Sequence, residues 1–251
     1  MSDERRVVVA IDGPAASGKS STAQWVAEKL GVRHVDSGAL YRAATAAALR
    51  SGEPPESWTE AHVLACASAV AVVAGANAFV PVIGGAPLEE ELRGGGVTKH
   101  VSRVAKMPAV RAWVNDHVRR AAERHDVVVD GRDIGTAVFP EADVKIFLVA
   151  DPWERARRRL VQRLGRRPTD EETAAETERL VQRDARDATQ TVQASDAILI
   201  DTTYLTQPEQ VERIVALVRA AARRPAGGAA SDSDDTPPEG TSSIDGGSRA
   251  G

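Results

Sequence analysis

The sequence predicts an α/β fold, a parallel sheet covered by helices on both faces. Two observations carry that expectation. Short apolar runs rich in β-branched residues recur along the chain, and segments with helical spacing of apolar residues separate them. Alternating elements of these two kinds are joined by crossovers, which set consecutive strands parallel and put helices on the sheet faces.

In chain order, strands are expected at 7–11 (VVVAI), 32–35 (VRHV), 127–129 (VVV), 144–150 (VKIFLVA) and 197–200 (AILI). Helices are expected between and after them, at 19–30, 38–50, 107–124, 152–164, 170–188 and 208–223. Residues 67–97 break the rhythm: two apolar stretches flank Gly75-Ala76-Asn77, and glycine-rich turns follow. That pattern suits a small antiparallel hairpin inserted between βα units. Residues 225–251 are rich in Gly, Pro, Ser and Asp with little to bury, and are expected to be a disordered acidic tail. The folded body is thus expected to span 1–224.

The tail also explains the formal charge of −4: it holds five of the 36 acids and one of the 32 bases, so the body holds 31 of each. A balanced body does not call for nucleic acid as the main partner. One cysteine, Cys66, excludes an internal disulfide framework and suits a reducing compartment. No apolar run is long enough for a membrane span or a signal peptide, so a cytoplasmic protein without a membrane partner is expected, and a monomer.

The segment GPAASGKS, Gly13 to Ser20, matches the phosphate-binding pattern G-x-x-x-x-G-K-[ST]. It follows a strand and opens a helix, the context this motif requires. The run Gly13, Pro14, Ala15, Ala16, Ser17, Gly18, Lys19, Ser20 and Ser21 would wrap the phosphates of ATP in backbone N–H groups, helped by the helix N-terminus. Lys19 would reach the β- and γ-phosphates, and the Ser20 hydroxyl would ligate Mg²⁺. The fold expected is therefore of the P-loop NTPase type. The loop serves many reactions, so an acceptor site must name this one.

Two strand ends supply candidates. DSGALYR, Asp36 to Arg42, closes the second strand: Asp36 and Ser37 can cap the next helix, and Tyr41 and Arg42 lie one turn on. VVVDGRDIGTAVFP, 127–140, runs three valines into Asp130, Arg132 and Asp133, and such charges at a core edge are costly unless they meet partners. If this strand adjoins the P-loop strand, Asp130 lies near Mg²⁺ as an acceptor for its waters. Arg132 then points at a phosphate, Gly131 gives the backbone room, and Asp133 is left to accept a hydrogen bond from a base. Ser102 and Arg111 lie near the start of another helix. Arg179, Arg183 and Asp187 recur at i, i+4, forming either a solvated salt-bridged face or one turned inward.

Taken together, IDGPAASGKSS, DSGALYR, DGRDIGTAVFP, VKIFLVADPWERARRR and RDARD resemble, in that order, the bacterial cytidylate kinases, over roughly residues 7–221. The resemblance implies a five-stranded parallel core, an acceptor-binding insert at about 63–97 and a helical lid at about 154–172. It implies Mg²⁺-dependent phosphoryl transfer from ATP to CMP or dCMP. By matching positions, Ser102, Arg111 and Asp133 would contact cytosine, Arg183 and Asp187 the ribose, and Ser37 and Tyr41 the nucleoside. Arg42 and Arg132 would clamp the CMP phosphate, with Lys19, Arg183 and a lid arginine, Arg158 foremost, completing the catalytic set. One departure stands out: where the family pattern R-D-x-x-D-x-x-R ends in arginine, this chain has Gln190, with Arg186 one turn earlier as a possible substitute. Two other readings remain open: a P-loop kinase for UMP or a phosphate-free acid, or a nucleotide-dependent binding module.

Overall fold

A computed structural model describes residues 6–223; the predicted tail lies outside the described residues. The strands are β1 (Val8–Asp12), β2 (Arg33–Asp36), β3 (Val70–Ala74), β4 (Phe79–Ile83), β5 (Ala86–Pro87), β6 (Val127–Asp130), β7 (Val144–Val149) and β8 (Ile198–Asp201). The helices are α1 (Lys19–Leu30), α2 (Ser37–Arg50), α3 (Glu60–Ala67), α4 (Glu89–Leu92), α5 (Gly95–Val104), α6 (Pro108–Arg124), α7 (Pro152–Leu164), α8 (Asp170–Asp187) and α9 (Gln207–Ala222).

Five strands pair in parallel in the order β2-β6-β1-β7-β8. The period of two along each strand sorts its residues onto two cores. Val9, Ile11, Val128, Ile146 and Leu148 pack against α1 and α9, while Ala10, Val35, Val127 and Val129 pack against α2 and α6. The inner strands β6, β1 and β7 are covered on both faces, which is why they read as nearly unbroken apolar runs. The expected adjacency holds: β6 lies beside β1, with Ile11 opposite Asp130. The chain leaves β1 for β2 and β6 on one side and for β7 on the other, so a crevice opens at the strands' carboxyl ends.

Helix ends follow from local chemistry. Asp36 accepts from Ala39 N at the start of α2, and Asp151 from Trp153 N at the start of α7. Reciprocal capping boxes, Thr169 with Glu172 and Thr206 with Glu209, open α8 and α9. By contrast α1 begins on Gly18 with no side-chain cap, leaving first-turn N–H groups available.

The predicted hairpin is three-stranded, since β5 adds to the β3–β4 pair. Three helices were not expected: α3, α5 and the single turn α4 between β5 and α5. α5 opens on glycines, which are poor helix formers, yet Val97, Val101 and Val104 bury one stripe. α3 is one short segment held by its Thr59 cap and by Val63 and Ala67.

Candidate active site

The phosphate loop is built by close backbone approach. Gly13 has φ 146°, and a Cβ there would lie 2.1 Å from the Leu148 carbonyl oxygen, so only glycine fits. Lys19 turns back to donate to the Pro14 carbonyl at 2.8 Å. Burial, then the neighbouring Arg132, push its ammonium down to about 7, against the pull of Asp130 and Asp12. Ser17 is buried and its Oγ has no protein partner among the described residues. Ser21 is exposed on α1 and stands off the cleft.

Ser20 Oγ donates to Asp130 Oδ2 at 2.6 Å, and His34 Nε2 meets Asp130 Oδ1 at 2.7 Å. Burial opposes ionisation of Asp130, but the His34 contact, Lys19 and Ser20 outweigh it and hold its carboxyl below the usual range. Ser37 Oγ donates to the Asp130 carbonyl at 2.8 Å. Gly131 passes this corner where a Cβ would sit 2.7 Å from Ser37 Oγ.

Asp12, at the end of β1, is the charge that sequence reasoning passed over. Its buried carboxylate accepts from Ile134 N at 2.9 Å and Gly135 N at 2.8 Å, in the π-helical turn after Asp133. Burial pushes it up to about 6, against those two hydrogen bonds. Arg132 donates to the Gly13 carbonyl at 3.2 Å, a second tie between the phosphate loop and the turn.

Four guanidinium groups face one region. Arg42 donates to the Leu92 carbonyl at 3.1 Å, and burial, then Arg183, push it down to about 10. Burial and Arg183 also lower Arg132. Asp187 Oδ2 lies 3.5 Å from Arg183 Nε and 3.9 Å from Arg132. Arg159 pairs at 3.0 Å with Glu176, a buried carboxylate. At the far end Arg111 pairs with Asp133 and stands 5.9 Å from the centre of the Tyr41 ring, whose hydroxyl burial pushes up to about 12.

One cleft runs from Lys19 and Ser20 past Ser37, Arg42, Arg132, Arg159, Arg183, Asp187 and Gln190 to Tyr41, Ser102, Arg111 and Asp133. The structure thus brings together Ala15, Ala16, Lys19 and Ser20 of the phosphate loop and every expected acceptor residue. Two expectations are corrected. Arg158 is turned away from the cleft and donates to the Thr202 and Thr203 carbonyls at 2.5 and 2.8 Å; the α7 arginine that lines the cleft is Arg159. The reason is helix phase: the buried residues of α7 are Arg155, Ala156 and Leu160, of which the two apolar ones mark the packed stripe. Arg158 lies about 200° round the helix from Ala156, and Arg159 only about 60°. Arg186 is exposed and folds back onto the Gln182 carbonyl, so it does not replace the arginine absent at 190.

His34, Arg159 and Glu176 were also missed. The Ala156–Leu160 spacing was the available signal for Arg159; His34 became visible only through the β2–β6 register. A family model described as Cytidylate kinase matches residues 9–220. The chain belongs to the cytidylate kinase family. Cytidylate kinase from Geobacillus kaustophilus (strain HTA426) is 41% identical over 220 residues, covering 86% of this chain and 97% of that protein. Cytidylate kinase from Mycobacterium leprae (strain Br4923) is 40% identical, covering 85% and 96%. Among solved structures, shikimate kinase from Bacteroides thetaiotaomicron is 14% identical with a TM-score of 0.43, covering 85% of this chain and 98% of that one, a likeness too faint to carry fold or function. As a member of the cytidylate kinase family the protein is a phosphotransferase of the nucleoside monophosphate kinase type. No described helix is long and apolar enough to cross a membrane.

Proposed function

We propose that the protein transfers the terminal phosphoryl group of ATP to CMP or dCMP, giving ADP and CDP or dCDP. What supports this reading is the continuity of one cleft from the phosphate loop, through the arginine cluster, to the Arg111–Asp133 pair. The acceptor's phosphate oxygen attacks the donor's terminal phosphorus, and the protein's work is to align the two and offset their repulsion. Two unit charges about 4 Å apart interact by about 4 kcal/mol near a protein surface, so several converging guanidinium groups change the barrier materially. Lys19 serves the donor phosphates, Arg42 and Arg132 the acceptor phosphate, and Arg159 and Arg183 the group in flight. Arg183 with Asp187 also holds the ribose, while Tyr41 and Ser37 support the nucleoside. Ser102, Arg111 and Asp133 read the base, Asp133 accepting from the cytosine amine.

Mg²⁺ fits the donor end. Ser20 Oγ and Asp130 offer hard oxygens 2.6 Å apart at the cleft, and the described residues hold no cluster of three or more metal-binding side chains. That suits an ion which keeps most of its waters and leans on substrate phosphates. Ser20 would ligate it and Asp130 would hold its water; bound there, it neutralises phosphate charge. The insert at 63–97 adjoins the acceptor end through the Leu92–Arg42 contact, and the lid at 154–172 carries Arg159. A single cysteine, Cys66, suits the reducing environment of the cytoplasm, and action there as a monomer is part of the same reading.

ADP release measured with ATP and Mg²⁺, with and without CMP, dCMP, UMP or AMP, tests the proposal. Strong stimulation by CMP and dCMP is expected. Slow ATP hydrolysis that no acceptor accelerates would overturn it.

A further inference from the structure

The α7–α8 lid contains a buried charge that the reaction itself does not use. Glu176, on α8, is only 4% exposed and looks across at α7. Its carboxylate meets Arg159 at 3.0 Å, Arg179 at 3.3 Å and Arg163 at 3.8 Å. The three partners differ in kind. Arg163 and Arg179 are largely exposed, with side chains 53% and 69% accessible, so their pairing is screened by water and holds little. Arg159 is mostly covered and its guanidinium lines the cleft.

Arg159 also stands among like charges. Arg183 acts on it as a repelling neighbour, and it acts in the same way on Arg42. Without phosphates, such a cluster drives its most movable member outward, and a lid arginine on a long side chain is the most movable. A fixed carboxylate behind it reverses that balance, and one buried between two helices is itself held by packing.

We propose that Glu176 is a positioning residue for phosphoryl transfer: it holds the Arg159 guanidinium aimed into the cleft, so that its charge is in place when the phosphates meet. The inference rests on the kinase reading above and goes beyond it by naming what orients the lid arginine.

Its test is a double-mutant cycle on kcat in the ADP-release assay, with wild type, Glu176→Gln, Arg159→Ala and the double variant. Loss of one charge-assisted contact lowers kcat about 10- to 150-fold for Arg159→Ala. Glu176→Gln, which keeps the shape and removes the charge, is expected to lower kcat about tenfold with the KM for CMP changed less than about threefold. The double variant is expected to be no slower than Arg159→Ala alone, because Glu176 acts only through Arg159. An unchanged kcat in Glu176→Gln overturns the inference, and so does a double variant whose loss is the product of the single losses, as a general weakening of the lid would give. If Glu176→Gln fails to fold, Glu176→Met, which removes the charge and fills the buried space with an apolar side chain of similar length, enters the same cycle, and the same two results overturn the inference. Failure of the kinase reading is distinct, since the wild type would then show no acceptor-stimulated ADP release at all.

Discussion

Replacing Asp133 by Asn tests the base-reading end of the cleft most directly. Asp133 and Arg111 form an ion pair with side chains only 14% and 21% exposed, so neither is free to reorient in water. On the proposed reading, a carboxylate there accepts from the cytosine amine. Uracil puts an oxygen at that place, leaving two acceptors face to face. One lost hydrogen bond to a charged group is worth about 1.5–3 kcal/mol, or about 10- to 150-fold. Sites built around a hydrogen bond can extend discrimination to about 10⁴-fold. The wild type should therefore favour CMP over UMP by about 10²- to 10⁴-fold in kcat/KM. Asparagine changes the code, because its carbonyl can face the cytosine amine or its NH₂ the uracil oxygen. In Asp133→Asn the CMP/UMP ratio should fall to within about tenfold, while Arg111 loses its counter-ion and kcat/KM for CMP drops. Initial rates for CMP, dCMP and UMP in both proteins supply the numbers. A ratio unchanged by the substitution would refute the assignment, as would a wild type that uses both pyrimidines equally.

Three further outcomes are expected. Gly13→Ala drives a Cβ to 2.1 Å from the Leu148 carbonyl, so β1 and β7 must part; the melting temperature should drop and calorimetric ATP binding should vanish. Asp12 is raised from 3.8 to about 6 on folding, so its protonated form favours the native state; that stabilisation is complete below pH 3.8 and lost as pH rises through about 6. Urea unfolding of wild type and Asp12→Asn at pH 4 and pH 7 should show their stability difference moving by about 2 kcal/mol toward the Asn variant, and an unmoved difference would refute the raised value. Ser20→Ala removes the one protein hydroxyl assigned to Mg²⁺, so half-maximal activity should need about tenfold more Mg²⁺ at saturating ATP and CMP.

What the sequence made legible was whatever is local or strictly periodic. Val127-Val128-Val129 announces a strand buried on both faces, and Gly13 to Ser20 carries its own geometry. Even the neighbour relation of β1 and β6 could be reasoned from the charges that end the second of them. The missed features depend on partners far along the chain. His34 matters because the β2–β6 register pairs it with Val128, two residues before Asp130 on the same strand face, so its ring reaches that carboxylate, and no spacing within residues 32–36 reveals that. Asp12 could have been found by the same reasoning that singled out Asp130, a charge closing a buried strand, but the phosphate loop beside it already accounted for the local pattern. Choosing among Arg155, Arg157, Arg158 and Arg159 required the phase of α7, and in a run so dense in arginine only Ala156 and Leu160 record it.

The ties around the cleft divide into two kinds, and the division matches what the reaction asks of each part. Donor grip and acceptor turn must keep a fixed separation while the phosphoryl group crosses. They are joined by the β1–β6 ladder and its continuation from Gly131 N to the Ile11 carbonyl at 3.1 Å. Asp12 adds two hydrogen bonds, in a corner dry enough to raise its own pKa. Water cannot replace such links without opening the sheet. The lid is fastened differently. Buried Arg155 donates to the Ala15 carbonyl at 2.8 Å and to Asp184 at 2.6 Å, Asp184 accepts from Ala15 N at 3.3 Å, and the apolar patch beneath them is small: Ala15, Ala156 and Leu180, with Ala16 at its edge. Asp184 is partly exposed, and an ion pair with one wet partner is the kind that solvent can take over at modest cost. Of the two kinds of tie, the α7–α8 fastening is therefore the less costly to undo, and on the proposed reading it is the part expected to yield when products leave.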